Sequence, residues 1–250
     1  MKNQAELKPA EAAAARKPRA PVPAKTAARS ARLRAVAPEA DGPEDIRDAV
    51  ARLKRERIIA TAVDLFYTKG LSNTTLEEVA DQMNVTKPFI YSQFKSKSEL
   101  LAEICSRGIR ASLDALDRAL ASEGTASDKL HTLARDFMLA VIVNQAHIAI
   151  YNREEKHLSA EDGEAINAMR REFDRKFCAL LSEGVASGEF VVDDVQLASL
   201  AIGGIVSWSY VWYRPEGRLS QAETADRVAD LVLALVQCKP TRRKRARAVG

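Results

Sequence analysis

Residues 57–100 read RIIATAVDLFYTKGLSNTTLEEVADQMNVTKPFIYSQFKSKSEL. Apolar residues recur at helical spacing in the first part, and Gly70 follows them where a helix commonly ends in a left-handed residue. Thr75 precedes Leu76-Glu77-Glu78, a threonine cap with acidic residues in the first helical turn. Thr86 can cap a third helix, whose first turn tolerates Pro88. Asn84 marks the tight turn between the second and third helices, because Asn tolerates the left-handed region. The stretch predicts a helix-turn-helix, a unit that places its second helix in the major groove of DNA.

The third helix carries side chains that suit DNA. Ile90 and Phe94 lie four residues apart and are predicted to face inward, which leaves Lys87, Tyr91 and Gln93 facing outward. An ammonium group and a phenol hydroxyl can bind phosphate, and a glutamine amide can read a base edge or hold the backbone. The sequence leaves open whether Tyr91 is a core aromatic instead, and whether Gln93 is plain solvated surface.

Residues 57–100 resemble the DNA-binding region of the tetracycline-repressor (TetR) family of transcriptional regulators. The matching positions are Ile59, Ala62, Leu65, Phe66, Gly70, Thr74, Thr75, Val79, Ala80, Val85, Thr86, Ile90, Tyr91, Phe94, Lys97 and Leu100. The resemblance implies DNA contacts by Thr75, Thr86, Lys87, Pro88, Tyr91, Gln93 and Lys97. We add Phe89, a position where many relatives have a small residue and where a core role stays open. Asn84 stands where the family commonly has glycine.

Composition favours an all-α protein, because no segment shows sustained alternation of β-branched residues and only 6% of the residues are aromatic. Three cysteines, Cys105, Cys178 and Cys238, are widely spaced, which fits a reduced cytosol and indicates neither a disulfide framework nor a zinc site. The three histidines also lack ligand spacing. We therefore expect no metal and no cofactor, and the N-terminus lacks the apolar core of a signal peptide.

The net charge of +4 hides an uneven distribution. Residues 1–34 carry a net +7 and residues 239–250 a net +6, which leaves −9 for residues 35–238. The first 45 residues also hold six of the nine prolines. We predict a disordered basic arm over residues 1–45 and a basic tail over 239–250, and both could follow DNA phosphates or merely aid solubility.

Further helices are predicted beyond the helix-turn-helix domain, which we place at residues 46–95. A long helix covers residues 97–122, a second is capped by Ser127, and a short one spans residues 148–157. Polar and apolar helices then follow over residues 161–187, 197–213 and 222–237. Together these elements predict a helical ligand-binding and dimerisation domain over residues 96–238.

The run at residues 197–213 is apolar enough to raise the question of a membrane span, and we interpret it as a buried helix instead. Its Gly203-Gly204 pair, with Ser199 and Ser207 nearby, forms a small-residue face where a second helix could approach. The TetR resemblance implies a homodimer formed by the last two long helices. Packing of the glycine pair within one chain stays open as the alternative.

The sequence identifies an effector site less clearly than it identifies the helix-turn-helix. Residues of the middle helices are predicted to line an apolar cavity, with arginines for an anionic group: Phe137, Val141, Asn144, Tyr151, Arg153, Met169, Arg170, Phe173 and Trp208. Residues 208–220, WSYVWYRPEGRLS, look similar to regulators of lipid, steroid and aromatic-acid degradation that sense acyl-CoA thioesters. Each residue could also be ordinary core or solvated surface.

The hypothesis that follows is a cytoplasmic, ligand-responsive DNA-binding regulator. It would act as a homodimeric repressor on double-stranded DNA, with an acyl-CoA or another lipid or aromatic acid derivative as effector and without a membrane. The alternatives are a multidrug-sensing repressor of an efflux gene and an architectural DNA-binding protein. The sequence contains no catalytic constellation and no Gly-rich phosphate loop, so an enzyme is not expected.

Overall fold

The computed structural model describes residues 46–237. The predicted basic arm at residues 1–45, the tail at 239–250 and Cys238 lie outside the described residues. The helices of the described part are α1 (Ile46–Lys69), α2 (Leu76–Gln82), α3 (Lys87–Tyr91), α4 (Lys97–Ala121), α5 (Ala126–Val143), α6 (Gln145–Glu154), a 3₁₀ turn (Glu155–His157), α7 (Ala160–Ala186), α8 (Val195–Ser207), α9 (Ser209–Trp212) and α10 (Gln221–Gln237). No strand occurs between residues 46 and 237, and the all-α prediction is confirmed.

The ends of the first three helices follow the local signals. Gly70 adopts φ 86° after α1, and its N–H donates to the carbonyl of Phe66. The Thr75 hydroxyl accepts the Glu78 N–H at 3.1 Å and so caps α2. Asn84 has φ 54°, the only left-handed non-glycine residue in the described part. The predicted turn between α2 and α3 is therefore confirmed.

Helix α3 has only five residues. It covers Lys87–Tyr91, with Pro88 in its first turn, and the hydroxyl of Thr86 makes no capping hydrogen bond to any described residue. The helix stops because the chain must turn to bury Phe94, whose N–H still donates to the Ile90 carbonyl at 2.9 Å. Phe94 and Ile90 are both fully buried, as predicted.

Helix α4 begins almost at once after α3, with Ser96 as its N-cap. It packs closely on α6, since a Cβ atom added to Gly108 would lie 2.8 Å from the side chain of Ile148. The first helices, α1 to α4, share one apolar cluster around Phe66, Ile90 and Phe94, to which α6 also contributes. A physical connection therefore runs from the helix-turn-helix through α4 to the rest of the chain.

Several predicted helix boundaries are wrong. Thr125 caps α5 in place of Ser127, because Asp128 at the third helical position completes a reciprocal capping box with Thr125. Helix α6 starts at Gln145, three residues before the predicted start, because Asn144 ends α5 and begins α6 directly. The predicted continuous helix over residues 197–213 breaks at Trp208, which separates α8 from α9.

The second apolar cluster joins α4, α5, α7, α8 and α10. The aromatic rings of Phe137, Phe173 and Phe177 pack against one another at a tilt within this cluster, with successive ring centroids 5.0 and 5.9 Å apart. Phe190 closes one end, and a Cβ atom at Gly184 would collide with its ring, so α7 requires glycine there. This cluster is the core of the region predicted to bind an effector.

The apolar segment Val195–Trp212 is not buried, contrary to the prediction. Only 22% of its residues are buried within the chain, although its mean hydropathy is 1.3. By length and composition it could cross a membrane, as could α5 and α6 together if they were not bent by 72°. Helix α8 instead buries one side against the core, and its other side lies exposed.

Candidate nucleic-acid interface and effector region

The outer face of α3 presents a small set of polar and cationic groups. Thr86, Lys87, Pro88 and Tyr91 are exposed, whereas Ile90 of the same helix is fully buried. The core-aromatic alternative for Tyr91 is wrong, because 45% of this residue is exposed. A hydroxyl, an ammonium group and a phenol on one short helix suit phosphate oxygens and base edges.

Glu77 of α2 holds two of these groups. Its Oε1 accepts a hydrogen bond from the Tyr91 hydroxyl at 3.3 Å and lies 3.7 Å from Lys87 Nζ. A backbone hydrogen bond, Lys87 and Tyr91 keep the pKa of Glu77 below its usual value, and the Glu77 charge raises the pKa of Tyr91. From the sequence, Glu77 is expected only as an acidic residue in the first turn of α2.

Phe89 and Gln93 are half-buried and differ from their exposed neighbours. The Phe89 ring packs against the cluster of α1 to α4, and Lys54 Nζ lies 5.7 Å from its centroid. Gln93 Nε2 donates to the hydroxyl of Ser92 at 3.2 Å. The solvated-surface alternative for Gln93 thus describes only part of the side chain.

Thr75 and Lys97 both make contacts within the protein. The Thr75 hydroxyl caps α2, as described above, and its residue remains exposed. Lys97 Nζ donates to the carbonyls of Leu71 and Thr74, each at 2.9 Å, so this half-buried ammonium closes the loop between α1 and α2. These two bonds use two of the three N–H donors of the ammonium group, which leaves one for a contact with DNA.

Six of the predicted effector residues lie in or against the two apolar clusters. Phe137, Val141 and Phe173 belong to the second apolar cluster, and Met169 packs against both clusters. The Arg170 guanidinium lies 4.4 Å from the centroid of the Tyr151 ring. These contacts place a cation beside an aromatic and apolar core, where α6 meets α7.

Three predicted effector residues lie elsewhere. Arg153 donates to the carbonyls of Phe66 and Tyr67 at the end of α1, and it pairs with Glu154 at 2.9 Å. Trp208 is 60% exposed at the break between α8 and α9. Asn144 Nδ2 donates to the Ala140 carbonyl, and the residue lines an open cleft of about 340 Å³ between α4 and α5.

The cleft is lined by both charged and apolar residues. Asp114, Arg118 and Asp136 line it, and Arg118 lies 3.7 Å from the Asp136 carboxylate. An open surface cleft of this kind would not enclose a ligand, whereas ligand sites usually bury most of the bound molecule. Among the described residues, no group of three or more His, Cys, Asp or Glu side chains could hold a metal ion.

A set of large apolar side chains is exposed on α8 and α10, on α9 and at the break between α8 and α9. It comprises Leu197, Leu200, Ile205, Trp208, Val211, Trp212, Leu231 and Leu235. A Cβ atom added to Gly203 or Gly204 would meet nothing within 4 Å, so neither glycine is needed for packing within the described chain. We call this set the apolar face.

His147 occupies the place where α6 meets α1 and α4. Neither ring nitrogen has a hydrogen-bond partner among the described residues, although both are buried. Burial and the nearby charge of Arg107 lower the pKa of His147 to about 4, against the opposing effect of Glu56 and Glu103. His147 is therefore neutral at physiological pH.

Comparison with known proteins agrees with this arrangement. Residues 58–104 match the family model described as bacterial regulatory proteins, tetR family, and residues 123–236 match that of the tetracyclin repressor-like C-terminal domain. The HTH-type transcriptional repressor KstR2 of Mycolicibacterium smegmatis is 31% identical over 189 residues, covering 73% of this chain and 88% of the relative. This chain belongs to the TetR family. KstR2 of Rhodococcus jostii is 30% identical over 186 residues, covering 73% of this chain and 89% of that protein.

Solved structures of TetR-family regulators share the fold. A bacterial regulatory protein of the family from Rhodococcus RHA1 matches with a TM-score of 0.67 and 26% identity, over 75% of this chain and 98% of that one. PfmR from Thermus thermophilus matches with a TM-score of 0.65 and 28% identity, over 71% and 97% respectively. The predicted fold class and family are therefore confirmed, and the chain is a TetR-family transcriptional regulator.

Proposed function

We propose that this TetR-family regulator is a repressor that binds a palindromic operator as a homodimer and is released by a small metabolite. The observation that carries the proposal is the outer face of α3, where Thr86, Lys87 and Tyr91 are exposed above a fully buried Ile90 and Phe94. A rigid core thus presents groups that can contact phosphates and bases. Thr75, Pro88, Phe89, Gln93 and Lys97 complete the proposed contact set.

The apolar face supports the homodimer. Leu197, Leu231 and Leu235 are each more than half exposed in the single chain, which costs free energy in water. A two-fold axis through α8 and α10 would bury this face against the same face of a second copy. It would also present two copies of α3 to two half-sites, which a single recognition helix cannot do.

The effector class is supported by named relatives. One structure with a similar fold is that of the ketosteroid transcriptional regulator KstR2 of Mycobacterium tuberculosis, which matches with a TM-score of 0.67. Another, AibR, was solved in complex with isovaleryl coenzyme A and operator DNA, with a TM-score of 0.61. Each is 23% identical to this chain, so the likeness to them is one of fold. We propose an acyl-CoA thioester, or another lipid or aromatic acid derivative, as the effector.

The effector would enter the aromatic core beside Arg170. Phe137 and Phe173 could contact an apolar group, while the Arg170 guanidinium beside Tyr151 could bind its anionic end. Because these side chains pack together in the structure, the ligand must separate them. Helix α4 packs on the same core and follows α3 directly, so a shift of α4 would move α3. Linkage limits the effect to the ligand's differential affinity for the two states, typically ~1–3 kcal/mol.

Footprinting on the DNA that flanks the gene, at the ionic strength of the bacterial cytoplasm, would identify the operator. It would also test the proposal that this protein binds a specific DNA sequence. A panel of fatty-acyl, steroid and aromatic CoA thioesters with their free acids would then be tested for operator release. Phe173→Ala should abolish release and keep operator binding, whereas Val143→Ala, at an exposed position, should alter neither. Release by no member of the panel would contradict this effector class.

The multidrug alternative receives less support. The probable acrEF/envCD operon repressor of Escherichia coli is 41% identical, but over 56 residues that make up 22% of this chain. That match is too short to include the effector region. Operator release by an unrelated cationic drug, and not by the thioesters, would favour this alternative.

A further inference from the structure

Arg55 of α1 differs from the other cations near it. Its side chain is two-thirds buried, and its Nη1 donates to the carbonyl of Gln93 at 2.8 Å. Its guanidinium carbon lies 4.0 Å from the centroid of the Phe94 ring. Gln93 and Phe94 follow α3 directly, so Arg55 holds the segment through which the chain leaves this helix.

The other edge of the same guanidinium faces α4. Arg55 Nη2 lies 3.8 Å from Glu103, which also pairs with Arg110 at 3.1 Å and with Arg107 at 3.5 Å. Burial alone would raise the pKa of Glu103, but Arg110, Arg107 and Arg55 together hold it below its usual value. Glu103 therefore stays charged at neutral pH and can retain Arg55.

The next residue of α1 reinforces this connection. Both carboxylate oxygens of Glu56 accept hydrogen bonds from Arg107, each at 2.7 Å. Two consecutive residues of α1 are thus tied to α4, one through Glu103 and the other through Arg107. The part of α1 next to Gln93 is fixed relative to α4 before any DNA is bound.

The guanidinium group is suited to this place. A five-residue helix is unstable alone, so contacts from outside must fix its orientation. The planar fork of arginine can bind a carbonyl with one nitrogen, face a carboxylate with another and stack its plane on an aromatic ring. A lysine ammonium offers one point charge and cannot replace the three contacts together.

We propose that Arg55 is a positioning residue for DNA recognition, which sets the orientation of α3 relative to α4 without touching DNA. The proposal rests on the proposed function, because it assumes that α3 reads the operator. A direct phosphate contact by Arg55 is the competing explanation. A direct contact is disfavoured because the guanidinium of Arg55 already contacts Gln93, Phe94 and Glu103.

Amide hydrogen exchange of the full-length protein without DNA tests the positioning role. The amides of Gln93 and Phe94 both donate to the Ile90 carbonyl, and Arg55→Met leaves those bonds in place but removes the one that Arg55 donates to the Gln93 carbonyl. The segment should then open more often, and these two amides should exchange about tenfold faster. Arg57→Met removes the same charge from an exposed neighbour and should leave these amides unchanged. Arg55→Lys should resemble Arg55→Met at these amides, and it keeps the test possible if the methionine variant fails to fold.

Operator titration over a range of salt concentrations separates positioning from phosphate contact. Arg55→Lys and Arg55→Met should weaken operator binding about tenfold with an unchanged slope of log affinity against log salt, because no phosphate contact is lost. A slope reduced by about 0.9 for Arg55→Met, the variant that loses the positive charge, would show a phosphate contact and overturn the proposal. Unchanged exchange at Gln93 and Phe94 would also overturn it. If the wild-type protein bound no operator, the proposed function would fail, while the exchange experiment would still decide whether Arg55 holds α3.

Discussion

The outer face of α3 and the apolar face of α8 to α10 differ in how favourably water solvates them. The outer face of α3 consists of polar and cationic groups such as Thr86, Lys87 and Tyr91, which are stable in solvent. The apolar face of α8 to α10 exposes Leu and Trp side chains, which solvent disfavours. The first surface can remain free until DNA arrives, whereas the second favours a permanent protein partner. The difference predicts a stable dimer and a reversible DNA complex.

The largest effect is expected on the apolar face. Leu231→Glu with Leu235→Glu would place charges where the proposed dimer buries leucine, and both positions are more than half exposed in one chain. Helix α10 should keep its fold, because its buried residues, such as Val232, are untouched. Operator affinity should fall at least ~100-fold, since each monomer would bind one half-site alone. Gel-shift titration with circular dichroism measures both, and an unchanged affinity would remove this face from the operator complex.

A smaller effect is expected on the α3 face. Tyr91→Ala removes an exposed ring and hydroxyl, and it should weaken operator binding by about 1–3 kcal/mol. Its melting temperature should change little, because the side chain contributes nothing to the core. Tyr67→Ala, which alters an exposed tyrosine on α1, provides the control. Equal affinity of Tyr91→Ala and the wild type would exclude Tyr91 from the DNA interface.

The pKa of His147 tests the packing of α6 against α1 and α4. The folded protein holds the His147 pKa at about 4, whereas the unfolded chain takes up a proton near its ordinary value of 6.5. Stability is therefore full above about pH 6.5 and decreases as the pH falls toward 4. The decrease should be about 1–2 kcal/mol, after allowing for partial solvent screening. Urea unfolding at pH 7.5 and 5 should show this loss in the wild type. Equal losses in the wild type and His147→Leu would show that His147 is not its source.

The smallest effect concerns Glu77. Its carboxylate holds Lys87 and Tyr91 in the free protein and adds negative charge near the proposed phosphate contacts. Glu77→Gln should strengthen binding to random DNA a few-fold, because it removes this negative charge. The fold should change little, since an exposed ion pair contributes little to stability. Glu78→Gln, which alters the adjacent carboxylate paired with Lys69, serves as the control. Weaker DNA binding by Glu77→Gln would mean that Glu77 orients these groups rather than restraining them.

Local signals made the helix-turn-helix predictable. Thr75, Asn84 and Ser96 act on residues within a few positions of themselves, so the sequence alone indicates their roles. The contacts that organise α3 are different: Tyr91 reaches Glu77 across 14 residues, and Arg55 reaches Gln93 across 38. No spacing rule connects residues so far apart, so the sequence alone does not indicate these two contacts.

The effector region was less predictable because the same apolar pattern serves several purposes. Phe137 and Phe173 lie in the core, whereas Trp208, on an equally apolar segment, is exposed at a helix break. Arg153 was predicted to bind an anion, and the structure places it against the end of α1. Periodicity indicates which residues are apolar, and only tertiary packing decides whether they face core, ligand or partner.

Light scattering of the full-length protein after size-exclusion chromatography determines whether the apolar face joins two chains. Each chain has a mass of 27.4 kDa. We expect a mass of two chains in solution without DNA, and of two chains, or a multiple of two, on a palindromic operator fragment. A single chain per molecule without DNA, together with one chain bound per operator, would contradict this expectation.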